Sequence, residues 1–446
     1  MKHGFLGLLL GSLVMTGGAP VGSTVAEERA LARWKATAPA PPAPPQDSPE
    51  AFLLTIDDAI HRSLSHDARL RADEAEVAWA EARIDEVGQL SNPDIRVTRM
   101  RFREFGTEDS RFDLELRARP PRPGELGARQ SAARSRRTAT EAQLTSRKQQ
   151  IAARVRWLYE EARFIELELE ATNLAIETRK TLLSVAVTRS ERGIGTDLDV
   201  SLSRLTLEES LQEAMALRHE GAEVRETLLD LVGFPPGVII RLERPSDKEM
   251  SPDSLPSLDA LTRAALATRA ELAVVAAQID AAAADAYSER LRQIPWFSWV
   301  ELGYIVDEDA SDLHGWSFGL SFEVPVFSLN MGGVAAADAR RAQREAQFDA
   351  EVARVVREIR ERWVTARDAA ETLHALQKGA VVVANEAAEE ARAALVAGQV
   401  DVLGLALVED RRASVERKRI SAMRRYRRAI SRLQEAVGGE WPDGTP

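Results

Sequence analysis

The sequence has no cysteine, few aromatic residues and no excess of positive charge. The absence of cysteine excludes a disulfide framework, a thiolate metal site and a lipid anchor on an N-terminal cysteine. Aromatic residues make up 5% of the chain whereas 29% of the residues are charged, and this composition favours long helices over a compact mixed fold. The formal net charge of -11 argues against a nucleic-acid partner, because such a protein needs surplus Lys and Arg to replace condensed counterions.

The first 26 residues have the pattern of a secretory signal peptide. Lys2 and His3 give a basic start, Phe5–Met15 form a short apolar core, and cleavage is expected after Ala19 or Ala26. No other run approaches the roughly 20 apolar residues that a transmembrane helix needs. We therefore expect an exported, non-lipidated protein that meets a membrane only through strands or a surface.

The rest of the chain is predicted to contain two repeats, because several landmarks recur roughly 200 residues apart. The opening Leu54–Ile60 corresponds to Leu258–Leu261. Four further pairs share the offset: Pro93 with Pro295, Pro121 with Pro325, Gly193 with Gly398, and Leu231-Val232-Gly233 with Ala436-Val437-Gly438. The predicted organisation is a proline-rich linker at 27–50, repeat 1 at 51–240, a second linker at 241–256, repeat 2 at 257–440 and a tail at 441–446.

Each repeat is predicted to contain a helix, two strands, a long helix and a further helix. The first helices are expected at Ile56–Gln89 and Leu258–Arg292, and the long ones at about Arg129–Arg192 and Val334–Val396. Apolar residues in the first long helix alternate steps of four and three, at Ile151, Val155, Leu158, Ala162, Ile165 and Leu169. This is a coiled-coil period.

Each long helix ends at a glycine, and a residue that favours helix N-caps follows shortly after it. Gly193 precedes Thr196, and Gly398 precedes Asp401. These segments are predicted to be the tips of helical hairpins. They are either simple turns between antiparallel helices or exposed docking positions for a partner.

The segments between the short and long helices alternate apolar and polar residues, which is the period of a β-strand. The apolar positions are Phe112, Leu114, Leu116 and Ala118 in repeat 1, and Trp316, Phe318, Leu320, Phe322 and Val324 in repeat 2. In the strand that precedes the first set, the apolar parity slips between Val97 and Met100, and a β-bulge is one explanation.

Strands with one apolar face and one charged face are typical of membrane β-barrels. The aromatic residues near these strands fit an interfacial belt: Trp296, Phe297, Trp299, Tyr304 and Trp316. An ordinary half-buried sheet is the alternative. Four strands cannot close a barrel, so the sheet must be covered by its own chain or must pair with strands of other copies.

These landmarks, taken together, resemble those of the TolC-like outer-membrane efflux proteins. The resemblance covers about residues 51–440. The matching features are the Leu54–Ile60 opening, Asn92-Pro93 before the first strand, Pro121, Gly124 and Gly127 before the first long helix, Pro325, Gly332 and Gly333 before the second, the glycine-led tips, and the Leu231–Gly233 and Ala436–Gly438 endings.

The resemblance implies a mainly α-helical protein with membrane β-structure. Long antiparallel coiled-coil helices would form an α-barrel protomer, and four β-strands would be contributed to a trimeric outer-membrane β-barrel. The implied protein is a homotrimer that lies in outer-membrane lipid, keeps its helices in the periplasm and forms the passive exit duct of a tripartite efflux or secretion system.

The implied partners are a periplasmic adaptor and an inner-membrane transporter. The tip residues that would face the adaptor are Gly193, Thr196, Asp199, Gly398 and Asp401. The strand residues that would face lipid are Phe112, Leu114, Leu116, Trp316, Phe318, Leu320 and Phe322. The family often closes the inner end of the duct with acidic residues after the second tip, where this sequence has Gly404, whereas Asp199 stands at the matching place in the first half.

The last helix is rich in arginine, and we predict that this basic face is solvated or paired with acidic residues of another helix, since the net charge disfavours nucleic acid. The candidate acidic partners are Glu160, Glu161, Glu166, Glu168 and Glu170. The histidines show no chelating spacing, and no catalytic or phosphate-binding motif occurs, so neither a metal, a cofactor nor an enzyme activity is predicted. Two alternatives stay open: a periplasmic coiled-coil scaffold or adaptor outside the membrane, and a secreted hydrolase with an unrecognised site.

Overall fold

The computed structural model describes residues 52–104, 107–235, 238–244, 255–307, 314–325 and 327–439. The predicted signal peptide, the linker at 27–50, the tail at 441–446 and most of the linker at 241–256 lie outside these residues. The described helices are α1 (Ile56–His66), α2 (Ala68–Gly88), α3 (Glu125–Glu191), α4 (Asp197–Val232), α5 (Leu258–Thr268), α6 (Ala270–Leu291), α7 (Met331–Lys378), α8 (Ala380–Val396) and α9 (Val402–Val437). The described strands are β1 (Phe52–Leu54), β2 (Asp94–Glu104), β3 (Thr107–Ala118), β4 (Ile240–Leu242), β5 (Trp296–Asp307) and β6 (His314–Glu323).

The first helix of each half is broken near its start, so the prediction of continuous helices over Ile56–Gln89 and Leu258–Arg292 is wrong. Asp67 has extended backbone angles and its carboxylate accepts hydrogen bonds from the amides of Arg69 and Leu70, so it caps a new helix. Arg269 has the same extended conformation between α5 and α6. The apolar periodicity does not reveal either break, because each break involves only one residue.

The long helix of repeat 1 is continuous over 67 residues, on the order of 100 Å. The predicted counterpart over Val334–Val396 is wrong as a single helix, because Gly379 leaves the helical region with φ -103° and ψ -91°. Glycine weakens a helix interior by roughly 1 kcal/mol relative to alanine, and here it separates α7 from α8.

Two sheets are present among the described residues. One pairs β1 and β4 in parallel, and the other has the antiparallel order β2-β3-β5-β6. The buried hydroxyl of Tyr159 in α3 accepts a hydrogen bond from the Glu243 amide at 3.2 Å and donates one to the Leu54 carbonyl at 2.8 Å, which ties the small sheet to the long helix.

The helices pack around α3, which contacts α2, α4, α6 and α9, while α7 contacts α6 and α9. The largest buried cluster joins α5, α7 and α9 around Leu261, Ile359 and Leu433, with Phe164 of α3 at its side. Among the described residues, no helix combines the length and the apolar character needed to cross a bilayer.

Candidate functional site

The four-stranded sheet has one apolar face that runs across all of its strands. Its register aligns two rows of side chains: Ile95, Leu116, Leu302 and Phe318 form one, and Val97, Leu114, Tyr304 and Trp316 form the other. All of these side chains except the half-buried Tyr304 are exposed in the protomer, with Phe318 at 72% and Trp316 at 74%. Leu320 and Phe322 are also exposed, whereas Phe112, on the same face, is half-buried.

The opposite face of the sheet is polar and much less accessible. Asp113 is only 6% exposed. Arg117 donates to the Glu301 carboxylate at 2.5 Å, and Arg96 lies 3.7 Å from Glu115. A sheet in a water-soluble protein has the reverse arrangement, because leaving a large apolar side chain in water costs about 1.5–3 kcal/mol.

The register accounts for the slip of the apolar parity in β2. The pairing of β2 with β3 is continuous, so no bulge lies between Val97 and Met100; Arg99 simply takes the next position on the apolar face. The irregularity lies instead in β5, between Phe297 and Trp299.

The bulge in β5 changes which face its aromatic residues occupy. Trp299 pairs with Ser321 and its ring lies 4.4 Å from the guanidinium carbon of Arg117, on the polar face. Trp296 donates its indole N–H to the Pro120 carbonyl at 3.0 Å. The prediction that all five aromatics form one interfacial belt is therefore wrong for Trp299 and for Trp296, which pairs with Glu323 on the polar face. Tyr304 and Trp316 do lie together on the apolar face, with ring centroids 5.1 Å apart.

The sheet ends in two strands with open edges. Among the described strands, β2 pairs only with β3 and β6 pairs only with β5. Each edge presents backbone N–H and C=O groups that have no partner strand within the described part of the chain. Such groups are costly to leave in lipid.

The tip between α3 and α4 is held by local hydrogen bonds. Gly193 has a φ of +71°, and the amide of Ile194 donates to the Arg189 carbonyl at 2.9 Å. Thr196 and Asp199 then form a capping box at the start of α4. Because the Thr196 hydroxyl and amide both donate to the Asp199 carboxylate, the pKa of this carboxyl is lowered, so the ionised form that caps the helix is present at neutral pH.

The tip between α8 and α9 has the same design. Gly398 has a φ of +68°, and Asp401 caps α9 by accepting from the Gly404 amide at 2.8 Å. This bond, together with the nearby Arg189 cation, lowers the pKa of Asp401. Arg189 donates to Asp401 at 2.8 Å, so a salt bridge joins the two tips.

The tip of α4 also exposes an apolar stripe that the sequence analysis did not single out. Ile194, Leu198, Leu202 and Leu205 recur at helical spacing and are between 52% and 67% exposed. The spacing of four, four and three was visible in the sequence, but a buried and an exposed stripe have the same period. Arg189 was likewise missed, because nothing in its local sequence indicates a contact some 200 residues away.

Basic side chains of α9 form ion pairs with acidic side chains of α3 and α4. Arg424 donates to Glu161, which is 3% exposed, to Glu168 at 3.1 Å and to Glu220. Arg428 also donates to Glu161. Burial lowers the pKa of Arg424, but hydrogen bonds to Glu161 and Glu220 outweigh it, so the net pKa is raised.

The predicted pairing of the basic helix with acidic residues of α3 is thus confirmed for Glu161 and Glu168. The other three candidate acids form these ion pairs: Glu160 with Arg163, Glu166 with Arg225 and Glu170 with Arg244. Among the described residues, no group of three or more histidine, aspartate or glutamate side chains could hold a metal ion.

No protein-family model and no curated protein matches the sequence. Solved structures do match it. The outer-membrane channel OprN is 19% identical with a TM-score of 0.69, over 86% of this chain and 90% of its own. The outer-membrane protein VceC from Vibrio cholerae is 18% identical with a TM-score of 0.66, over 86% and 96% of the two chains. The chain has the fold of the TolC-like outer-membrane channels.

The open-state MtrE outer-membrane channel from Neisseria gonorrhoeae is similar too, at 16% identity and a TM-score of 0.66 over 86% of this chain and 89% of its own. The predicted fold class is therefore confirmed: long antiparallel helices combine with four strands in the arrangement of these channels.

Proposed function

We propose that the protein is the outer-membrane duct of a tripartite efflux or secretion system and carries solutes passively from the periplasm to the exterior. The observation that supports this most is the reversed polarity of the sheet. Phe318 and Trp316 are exposed while Asp113 is buried on the opposite face. Lipid on the apolar face and water on the polar face is the environment in which this arrangement is stable.

Three copies would complete the barrel. In each protomer β2 and β6 are the edge strands, and β6 of one copy would pair in the antiparallel direction with β2 of a neighbouring copy. Three sets of four strands would satisfy every edge without any other partner, because closure removes edges altogether. The chain would then be a homotrimer whose helices extend into the periplasm.

The helix tips are the proposed docking positions for a periplasmic adaptor, which would connect the duct to an inner-membrane transporter. Gly193, Thr196 and Asp199 build the first tip, and Gly398 and Asp401 the second. The exposed stripe at Ile194 and the following leucines offers apolar contact area, and exposed apolar patches of this kind mark interaction surfaces.

The lipid-facing assignment is tested by two adjacent substitutions on opposite faces of β6. We expect Phe318→Lys to block assembly in the outer membrane, because a lysine facing the middle of a bilayer costs about 2–4 kcal/mol per copy. Ser317→Lys is the matched control, since it adds the same charge to the polar face, where Ser317 pairs with Gly303. The measurement is the amount of detergent-extracted trimer recovered from outer-membrane fractions.

Wild type and Ser317→Lys should yield the trimer, and Phe318→Lys should yield at most a small fraction of it. Recovery of the wild type as a soluble periplasmic monomer would overturn the duct and favour the alternative of a scaffold or adaptor outside the membrane. Equal losses for the two variants would contradict the assignment of the lipid-facing side.

A further inference from the structure

α9 carries a row of basic side chains that is distinct from its ion pairs with α3 and α4. Arg411, Lys418, Arg425 and Arg432 recur every seven residues, and all four are exposed. A spacing of seven returns to the same face of a coiled-coil helix, so the row extends over roughly 30 Å.

The charges of this row have no acidic partner within the described part of the chain. Arg417 and Arg424, on the adjacent face of α9, pair with Glu213 and Glu220 of α4. The row itself forms no such pair with any residue that the structure describes, although the protein as a whole has a net charge of -11. The positive charges of the row therefore face solvent and create a positive potential along this side of α9.

A groove between α7 and α9 concentrates this charge. It has a volume of about 280 Å³, and Arg362 of α7 faces Arg425, Arg428 and Arg432 of α9 across it. Its remaining lining is Thr365, Ala369 and Ala429. Within the groove only Arg428 has an acidic partner among the described residues, Glu161.

The groove lies on the side of α7 that faces away from α5. Trp363 donates its indole N–H at 3.0 Å to the carbonyl of Pro256, just before α5. A helix turns by about 100° per residue, so Thr365 in the groove points about 200° away from Trp363. The basic row and α5 therefore lie on opposite sides of the α7 and α9 pair.

This geometry determines which side faces the passage, if the proposed duct is correct. Helix α5 on the inner side would obstruct a passage formed by the longer helices, so α5 belongs on the outside and the basic row inside. We propose that this row lines the passage and favours anionic solutes, such as small organic molecules that carry carboxylate, phosphate or sulfate groups. Twelve such side chains in a trimer would raise the local concentration of anions at the wall.

Ion selectivity in planar bilayers tests the proposal with the full-length trimer. The double variant Lys418→Gln/Arg425→Gln should lower the ratio of chloride to potassium permeability, read from the reversal potential in a KCl gradient, by at least about twofold at 0.1 M salt. At 1 M salt the Debye length falls to about 3 Å, and the difference should largely disappear. Arg244→Gln/Arg263→Gln is the matched control, because these arginines lie after β4 and on α5 and are 74% and 76% exposed.

A second measurement does not depend on conduction. The chain has no cysteine, so Ser421→Cys, between Lys418 and Arg425 on the same face, is the sole thiol. A negatively charged methanethiosulfonate reagent should modify it several-fold faster than a positively charged one, and the Lys418→Gln/Arg425→Gln background should reduce this rate ratio at least about threefold at low salt.

The outcomes separate the two proposals. If the wild-type trimer conducts but the Lys418→Gln/Arg425→Gln variant keeps both its selectivity and its rate ratio, the basic row does not act on anions, and the duct stands. If the wild type forms no membrane trimer, the proposed duct is wrong, and the proposal that the basic row lines its passage is wrong as well. An equal shift in the Arg244→Gln/Arg263→Gln control would show that overall charge, and not this row, sets the selectivity.

Discussion

At the scale of single residues, Glu161 of α3 forms ion pairs with two arginines of α9. Glu161 is 3% exposed and accepts from both Arg424 and Arg428. Replacing such a group with well-packed apolar residues is often neutral, whereas removing only one partner leaves a buried charge without compensation. Removing Glu161 alone should therefore lower the free energy of unfolding by more than the ion pairs themselves contribute to it.

We expect Glu161→Gln to destabilise the protein by about 2 kcal/mol, since Arg428 loses its acidic partner and Arg424 keeps only Glu168 and Glu220. Glu177→Gln is the matched control on the same helix, because Glu177 is 69% exposed and pairs with Lys180 on the surface. Exposed pairs contribute about 0–1 kcal/mol. Guanidinium unfolding of the detergent-purified protein measures both, and equal midpoints for the two variants would show that the buried pair contributes no more than a surface one.

At the scale of elements, each tip depends on one glycine in the left-handed region. Gly193 and Gly398 have φ values of +71° and +68°, and a Cβ added at either would meet open space. A side chain at either position would therefore contact nothing, and it would cost free energy only through the left-handed backbone conformation. This cost is about 1–2 kcal/mol for an L-residue in that region.

Gly193→Ala should therefore loosen the first tip without disturbing the rest of the fold. Amide hydrogen exchange over residues 189–200 is expected to rise about fivefold or more, which corresponds to roughly 1 kcal/mol of local stability. Gly127→Ala, inside α3 with open space around it, is the control and should not destabilise, because alanine favours a helix. Unchanged exchange in Gly193→Ala would show that the tip does not rely on the left-handed glycine.

The elements also show what a sequence can and cannot reveal. The order of helices and strands and the apolar face of β6 follow from periodicity, because one face of each element must be apolar. The helix breaks at Gly379, Asp67 and Arg269 and the bulge before Trp299 do not follow from periodicity, since each concerns one residue inside a strong periodic pattern. The salt bridge from Arg189 to Asp401 joins segments far apart in sequence, and no local pattern predicts it.

At the scale of the whole molecule, the sheet is incomplete by itself. The order β2-β3-β5-β6 leaves β2 and β6 at the edges, and the apolar face stays uncovered by the described helices. The proposed assembly of three copies around a common barrel in lipid would explain both features. A protomer that remained alone would expose the unpaired strand edges and the apolar face, and it would be prone to aggregate.

Because the chain has no cysteine, disulfides can test this assembly directly. Pairing between copies places β6 of one protomer beside β2 of the next, so cysteines at Thr98 and at a scanned position among Ser317, Gly319 and Ser321 should form bonds between copies at one register. Oxidation of that variant in outer membranes should yield a covalent trimer on denaturing gels, and either single-cysteine variant should yield none. The polar-face pair Glu115 and Ser321, on the non-adjacent strands β3 and β6, is the negative control. Covalent dimers as the largest product, or no bond at any register, would contradict a closed ring of three, since only a ring links every copy through both of its edges.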